Sequence, residues 1–158
     1  MGTDAHLYKV KEEIDPYKTI EDIKIAGERA GQIVLIDKHI YYDEDGDFRF
    51  TTANSANTYE DVDGAEQILM YIYGTKNAYP NPDFDALIHK EGYLQTIVID
   101  VFYESEKIML DFVYEYLKIN PDIYLYIERE WVYTLEDLEK IRALPFDRNW
   151  CYTKPAWK

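Results

Sequence analysis

Cysteine occurs once in 158 residues, as Cys151. A lone thiol excludes an internal disulfide and any cysteine-rich zinc site, and it suits a reducing, cytoplasmic setting. Between flanking aromatics, without a predicted helix start or a histidine beside it, it reads as structural and not as a nucleophile. Histidine is nearly as scarce, with only His6, His39 and His89. No G-x-S-x-G, Walker loop, G-x-G-x-x-G or H-E-x-x-H is present, so the common hydrolase, nucleotide and zincin signatures are missing. No repeat or low-complexity linker divides the chain. No apolar run approaches the ~18 residues of a membrane span, and the opening "MGTDAHLYKV" has no apolar signal core.

Basic charge is also short. Against 31 Asp and Glu stand 17 Lys and Arg, leaving −14 and a pI near 4.5. Such a surface repels phosphate backbones, so no nucleic-acid partner is expected, whereas a basic protein partner is attracted and its association speeded. The imbalance is local as well. From Lys140 to Lys158 five basic residues face one acid, Asp147, so that segment is +4. It reads as a tail docked on its own acidic body, the other reading being a basic peptide offered to a partner.

What is abundant is apolar and aromatic: hydrophobic residues make up 47%, and there are 16 tyrosines. The length suits one globular domain over residues 1–158, with 1–16 and 145–158 peripheral or tail-like. A helix is predicted after Thr19, which forms a capping-box pattern with Asp22, and Gly31 ends it. "QIVLIDKHIYY" and "DFRFTT" are predicted as a hairpin about the turn signal Asp45-Gly46. Residues 52–64 read as a loop, residues 65–74 as a short helix on the spacing of Ile68 and Ile72, and Pro82 opens a brief helix through Ile88.

The second half is more regular. Residues 94–102 form a near-continuous apolar run, as a strand covered on both faces requires. Ser105 heads a helix in which Ile108, Phe112 and Tyr116 recur every fourth residue, "IYLYIE" is a strand, and Thr134 with Asp137 opens a last helix stopped by Pro145. The expected fold is α/β or α+β: a single mixed β-sheet with helices packed against it, an N-terminal helix and β-hairpin preceding a βαβα unit.

Three groups of residues are candidates for function. The acidic turn Asp43, Glu44, Asp45 and Asp47 puts Asp43 and Asp45 where an EF-hand would need them, but Tyr41 and Thr52 stand at its first and last ligand positions. Asp43, Asp45 and Asp47 are left as a weak cation site, the default being a solvated hairpin tip. Asp100 interrupts the most apolar strand, where an unpaired carboxylate is costly. With Glu104 and His39 it forms the alternative reading, a small divalent-metal-dependent hydrolase or transferase. In "IYLYIERE", Tyr124, Tyr126, Glu128 and Glu130 share one strand face opposite the aliphatics, a strip suited to partner binding.

In size, charge, absent catalytic signatures and cytosolic character the chain resembles the small acidic immunity proteins that bacteria pair with toxic nucleases and other effectors. That likeness implies a protein-binding module whose carboxylates answer a basic toxin's Lys and Arg. It would need no cofactor, metal or catalytic residue. Self-association into a homo-oligomer through the tyrosine strip is the third option.

Overall fold

The computed structural model describes residues 4–62, 66–100 and 102–158. Sequence expectations on residues 1–3, on Asp63, Gly64 and Ala65, and on Val101 lie outside that range. Eight strands form one sheet: β1 (Ala5–Val10), β2 (Ile33–Ile36), β3 (Tyr41–Tyr42), β4 (Phe48–Ala56), β5 (Gln67–Tyr73), β6 (Tyr93–Asp100), β7 (Tyr124–Tyr126) and β8 (Val132–Tyr133). Their order is β2-β4-β5-β6-β1-β7-β8, and β3 pairs with β4 beside β2. The helices are α1 (Pro16–Arg29), α2 (Pro82–Ile88), α3 (Glu106–Ile119) and α4 (Leu135–Arg142). One sheet with helices packed on it is the architecture expected, and every hydrogen-bonded strand pair is antiparallel. No helix among the described residues is long and apolar enough to cross a membrane.

The βαβα unit is present in a split form. Strands β6 and β7 flank β1 and each runs antiparallel to it, so they point the same way with β1 between them. Helix α3 makes the crossover, as in a split β-α-β unit. Residues 5–10, which the sequence places at the periphery, therefore form an inner strand, with Ala5, Leu7 and Tyr8 buried. A six-residue strand carries little local signal; its position is decided by pairing with residues about ninety positions away.

Residues 67–73 are a strand where a helix is expected. Ile68 and Ile72 lie four apart, a spacing common to both periods, but Ile68, Met70 and Ile72 are buried and their neighbours half-buried, which is the period-2 pattern of a strand. Helix α1 starts four residues earlier than the Thr19 pattern indicates. Asp15 is its N-cap, accepting from the backbone N–H of Tyr17 at 3.0 Å, with Pro16 in the first turn. Thr19 instead donates its hydroxyl to the Asp15 carbonyl at 3.1 Å. The expected hairpin survives only at its tip: the first strand breaks into β2 and β3, which pair with successive halves of β4. Residues 53–56, expected in a loop, complete β4.

The capping box of Thr134 and Asp137, the helix from Pro82 to Ile88 and the position of α3 after Ser105 are as expected. Gly27, inside α1, has a packing role, because a Cβ there would collide with the side chain of Val34 on β2.

Helices α1, α3 and α4 bury one face of the sheet, where Leu7, Met70, Ile97, Ile99 and Leu125 meet Ile23, Phe112 and Leu138. On the opposite face α2 seats Phe84 among Tyr8, Tyr93 and Tyr126. The Phe84 ring stacks on Tyr8 with centroids 4.0 Å apart.

The C-terminal segment is docked. Arg148 lies 3.4 Å from the Glu106 carboxylate, Trp150 donates its indole N–H to the Glu106 carbonyl at 3.1 Å, and Tyr152 donates to the Glu106 carboxylate at 2.7 Å. Lys158 pairs with Asp137 at 2.6 Å. Arg148 and Lys158 thus answer carboxylates of its own body.

Candidate functional site

Alternate residues of a strand share a face, so the register sorts what the sheet turns away from the main core. Three rows run across that face. One is Tyr41, Phe50 and Tyr73; the next is Thr52, Tyr71, Val98, His6 and Tyr126; the third is Leu35, Asn54, Leu69 and Asp100. Helix α2 covers the β6-β1-β7 end. Over β3, β4 and β5 no helix lies on this face among the described residues.

The open half is aromatic. Tyr41 stacks on Phe50 with centroids 4.6 Å apart and planes at 9°, and Tyr71 and Tyr73 stack at 6.4 Å. Leu35 and Tyr41 are each 46% exposed, and Phe50, Leu69, Tyr71 and Tyr73 are half-buried. Burial first, then Tyr71 and the carboxylates of Asp100 and Asp4, push the Tyr73 phenol above its usual range. The rings thus lie beside negative charge. The acidic tip belongs to the same β3–β4 hairpin.

At that tip Asp43 is committed to the turn, its Oδ1 accepting from the backbone N–H groups of Asp45 and Asp47 at 2.9 and 3.0 Å. Asp43, Asp45 and Asp47 bring carboxylate oxygens within 4.8 Å of one another. Lys76 already lies against this cluster, 3.4 Å from Asp45 and in contact with Asp47. Those two carboxylates hold its ammonium above the usual range. The tip is an acidic knob with a lysine counter-charge, and an acidic cluster alone does not establish a metal centre. Glu44 is exposed beside it.

The alternative catalytic set does not assemble. His39 lies outside the strands, in the break between β2 and β3, and is exposed. Its backbone N–H donates to Asp37 at 2.9 Å and its ring meets Tyr41 edge-on at 4.3 Å. Its carbonyl accepts from Thr51 on β4, whereas Asp100 sits on β6 opposite Leu69, with β5 between the two strands. At about 4.8 Å per strand spacing, no common ion bridges them. Glu104 is in the turn before α3, where its charge acts on Arg148.

The Tyr124–Glu130 strip is also divided. Tyr126 is 5% exposed, its ring 5.8 Å from Phe84, and Tyr124 packs edge-on against Phe84 and Tyr93. Strand β7 ends at Tyr126, and Glu128 turns the chain with a positive φ of 52°. Glu128 and Glu130 remain exposed and line, with Tyr126, a concavity of about 610 Å³. The Glu128 carboxylate lies 3.4 Å from His6 Nε2, without hydrogen-bond alignment. His6 also contacts Gln95 through Nδ1 at 3.0 Å.

The aromatic face of β3, β4 and β5 is the feature that sequence reasoning missed. The alternation in "QILMYIY" and "FRF" carries it, once residues 67–73 are seen as a strand. Cys151 is fully buried, and burial chiefly pushes its thiol up to about 12, so it is no nucleophile. Compared with known protein families, curated proteins and solved structures, the chain finds no match.

Proposed function

We propose that this is an acidic protein-binding module that engages a basic protein partner in the cytoplasm through the open half of its sheet. In its most specific form it is an immunity-type inhibitor that neutralises a basic bacterial toxin. The observation that carries the reading is the uncovered aromatic patch of Tyr41, Phe50, Tyr73 and Tyr71, with Leu35 on the same face and the carboxylates of Asp100 and Asp4 acting on Tyr73, on a chain of net charge −14. Tyrosine and phenylalanine supply interface area at little rotamer cost. The surrounding carboxylates steer a cationic surface toward them.

Aromatic sheet faces also stack nucleobases, but such platforms sit in basic grooves that follow a phosphate backbone. Here the carboxylates of Asp100 and Asp4 act on Tyr73, Arg49 lies 5.9 Å from the Phe50 ring centroid, and the chain as a whole carries −14. That supports a protein over a nucleic acid. With His39 in the break between β2 and β3, held to β4, and Asp100 on β6, the metal-hydrolase alternative gains no support.

The test begins with capture from native lysate by the chain and by a Leu35→Glu, Tyr71→Ala variant, followed by reconstitution with the purified partner. A basic partner is expected, held at 1:1, with an association rate that falls steeply as salt rises. The double substitution should weaken it at least ~100-fold. Equal binding by the variant would refute the sheet face as the site. A turnover activity abolished by Asp100→Asn would refute the binding function itself.

A further inference from the structure

On the helix-covered side of the molecule, a cavity of about 350 Å³ opens between the first turns of α3, the end of α4 and the coil that follows it. Small-molecule sites run from ~300 to 1,000 Å³ and are mostly apolar with a few placed polar groups. Leu110, Ile141, Leu144, Phe146, Trp150 and Trp157 line this one. Both indole N–H groups are already donated elsewhere, Trp150 to the Glu106 carbonyl at 3.1 Å and Trp157 to Asp137 at 2.8 Å. What the indoles offer the cavity is ring surface.

The charge of the lining is opposite to that of the chain. Lys107, Arg142 and Lys154 face a single lining carboxylate, Asp147, which accepts the Asn149 backbone N–H at 2.9 Å. Behind the rim, Asp111 pairs with Lys107 at 2.9 Å and with Arg142 at 3.5 Å. Lys107 stands 5.5 Å over the Phe146 ring, holding an ammonium beside an aromatic wall. Lys154 is exposed and has no carboxylate partner among the described residues. On a protein of net charge −14, a cationic rim around an aromatic hollow selects by sign.

We infer that this cavity is a binding site for a small organic anion with a flat apolar body, such as an aromatic carboxylate. The rings take the body by area and stacking. Lys154 and the Lys107–Arg142 pair take the acid group. The site is separate from the open sheet face and stands independently of the function proposed for that face.

The test is titration of the full chain with 1-naphthoate and with 1-naphthylmethylammonium, followed by calorimetry and by the indole N–H resonances of the three tryptophans. Naphthoate is expected to bind 1:1 with Kd of ~10 μM to 1 mM, and the ammonium probe at least about tenfold more weakly. Trp150 and Trp157 should shift and Trp131 should not. Lys154→Glu should weaken naphthoate by about tenfold or more with an unchanged melting temperature, whereas Lys24→Glu, on α1, should not. Absence of saturable naphthoate binding would overturn the inference. So would equal affinity for the cationic probe, or indifference to Lys154→Glu.

Discussion

The hydroxyl of Tyr152 and the carboxylate of Glu106 lie 2.7 Å apart, joining the penultimate turn of the chain to the first residue of α3. Glu106 is 2% exposed, and its carboxylate also meets Arg148 at 3.4 Å and the backbone N–H of Glu104 at 3.2 Å. A buried carboxylate that loses a donor bears the desolvation cost without the bond. Tyr152→Phe is therefore expected to cost about 1.5–3 kcal/mol, read from urea unfolding followed by tryptophan fluorescence. A cost below ~0.5 kcal/mol would show that the contact adds nothing to docking of the tail.

Asp137 ties down the other end of that segment. Burial alone would raise its carboxyl, but Lys158, the Thr134 N–H and the Trp157 indole outweigh burial and hold it below the usual carboxylate range. A carboxyl depressed in the folded state stabilises above its unfolded value, near 3.9, and loses that contribution as pH falls through the folded value. Docking of the tail should be intact at pH ~5 and weaken progressively below pH ~4. Fluorescence of Trp157 between pH 2 and 6 would show it. Asp137→Asn should remove this acid step.

Alkali acts on a different set of groups. Burial first, with the Asp22 carboxylate behind it, pushes the Tyr116 phenol far above its usual range, and burial does the same for Tyr133. Both are protonated in the fold, so their stabilisation is complete below pH ~10 and is lost as pH climbs from there toward the folded values. Each unit above 10 removes up to ~1.4 kcal/mol per group. Urea midpoints should be level from pH 7 to 9 and fall steeply by pH 11. Tyr133→Phe should reduce the slope.

Gly27 sets a packing limit. Alanine there would favour an isolated helix by ~1 kcal/mol, yet its methyl would enter the Val34 side chain. Overpacking of this kind costs ~1–3 kcal/mol, so Gly27→Ala should be net destabilising. Val34→Ala should relieve the collision, giving a double-mutant coupling of ~1 kcal/mol or more. Additive effects would place the constraint elsewhere.

Cys151 is expected to resist iodoacetamide in the native protein at pH 8 and to react fully in urea. Its thiol is completely buried and held up to about 12. Fast native labelling would show that the tail detaches.

What was legible in the sequence follows from how local each signal is. Helices α2, α3 and α4 announce themselves through prolines, caps and apolar repeats a few residues apart. Strand β6, buried on both faces, shows in its unbroken apolar run. Strand β1 does not show, because its partners are near residues 95 and 125. Strand β5 was hidden by a four-residue spacing that two periodicities share, and with it went the aromatic row. Tyr126 misled for a related reason. Its burial depends on Phe84, more than forty residues upstream, and no pattern within "IYLYIERE" reports that α2 lies over it.

The insertion of β1 between β6 and β7 has a consequence for biosynthesis. Strand β1 is synthesised well before its neighbours, since Ala5 awaits Ile99 and His6 awaits Tyr126. At ~5–20 residues per second, β1 stays unpaired for several seconds or longer. Through that interval α1 and the β2–β5 meander can collapse without it. Such long-separation closure slows folding and gives chaperones a natural window on this chain.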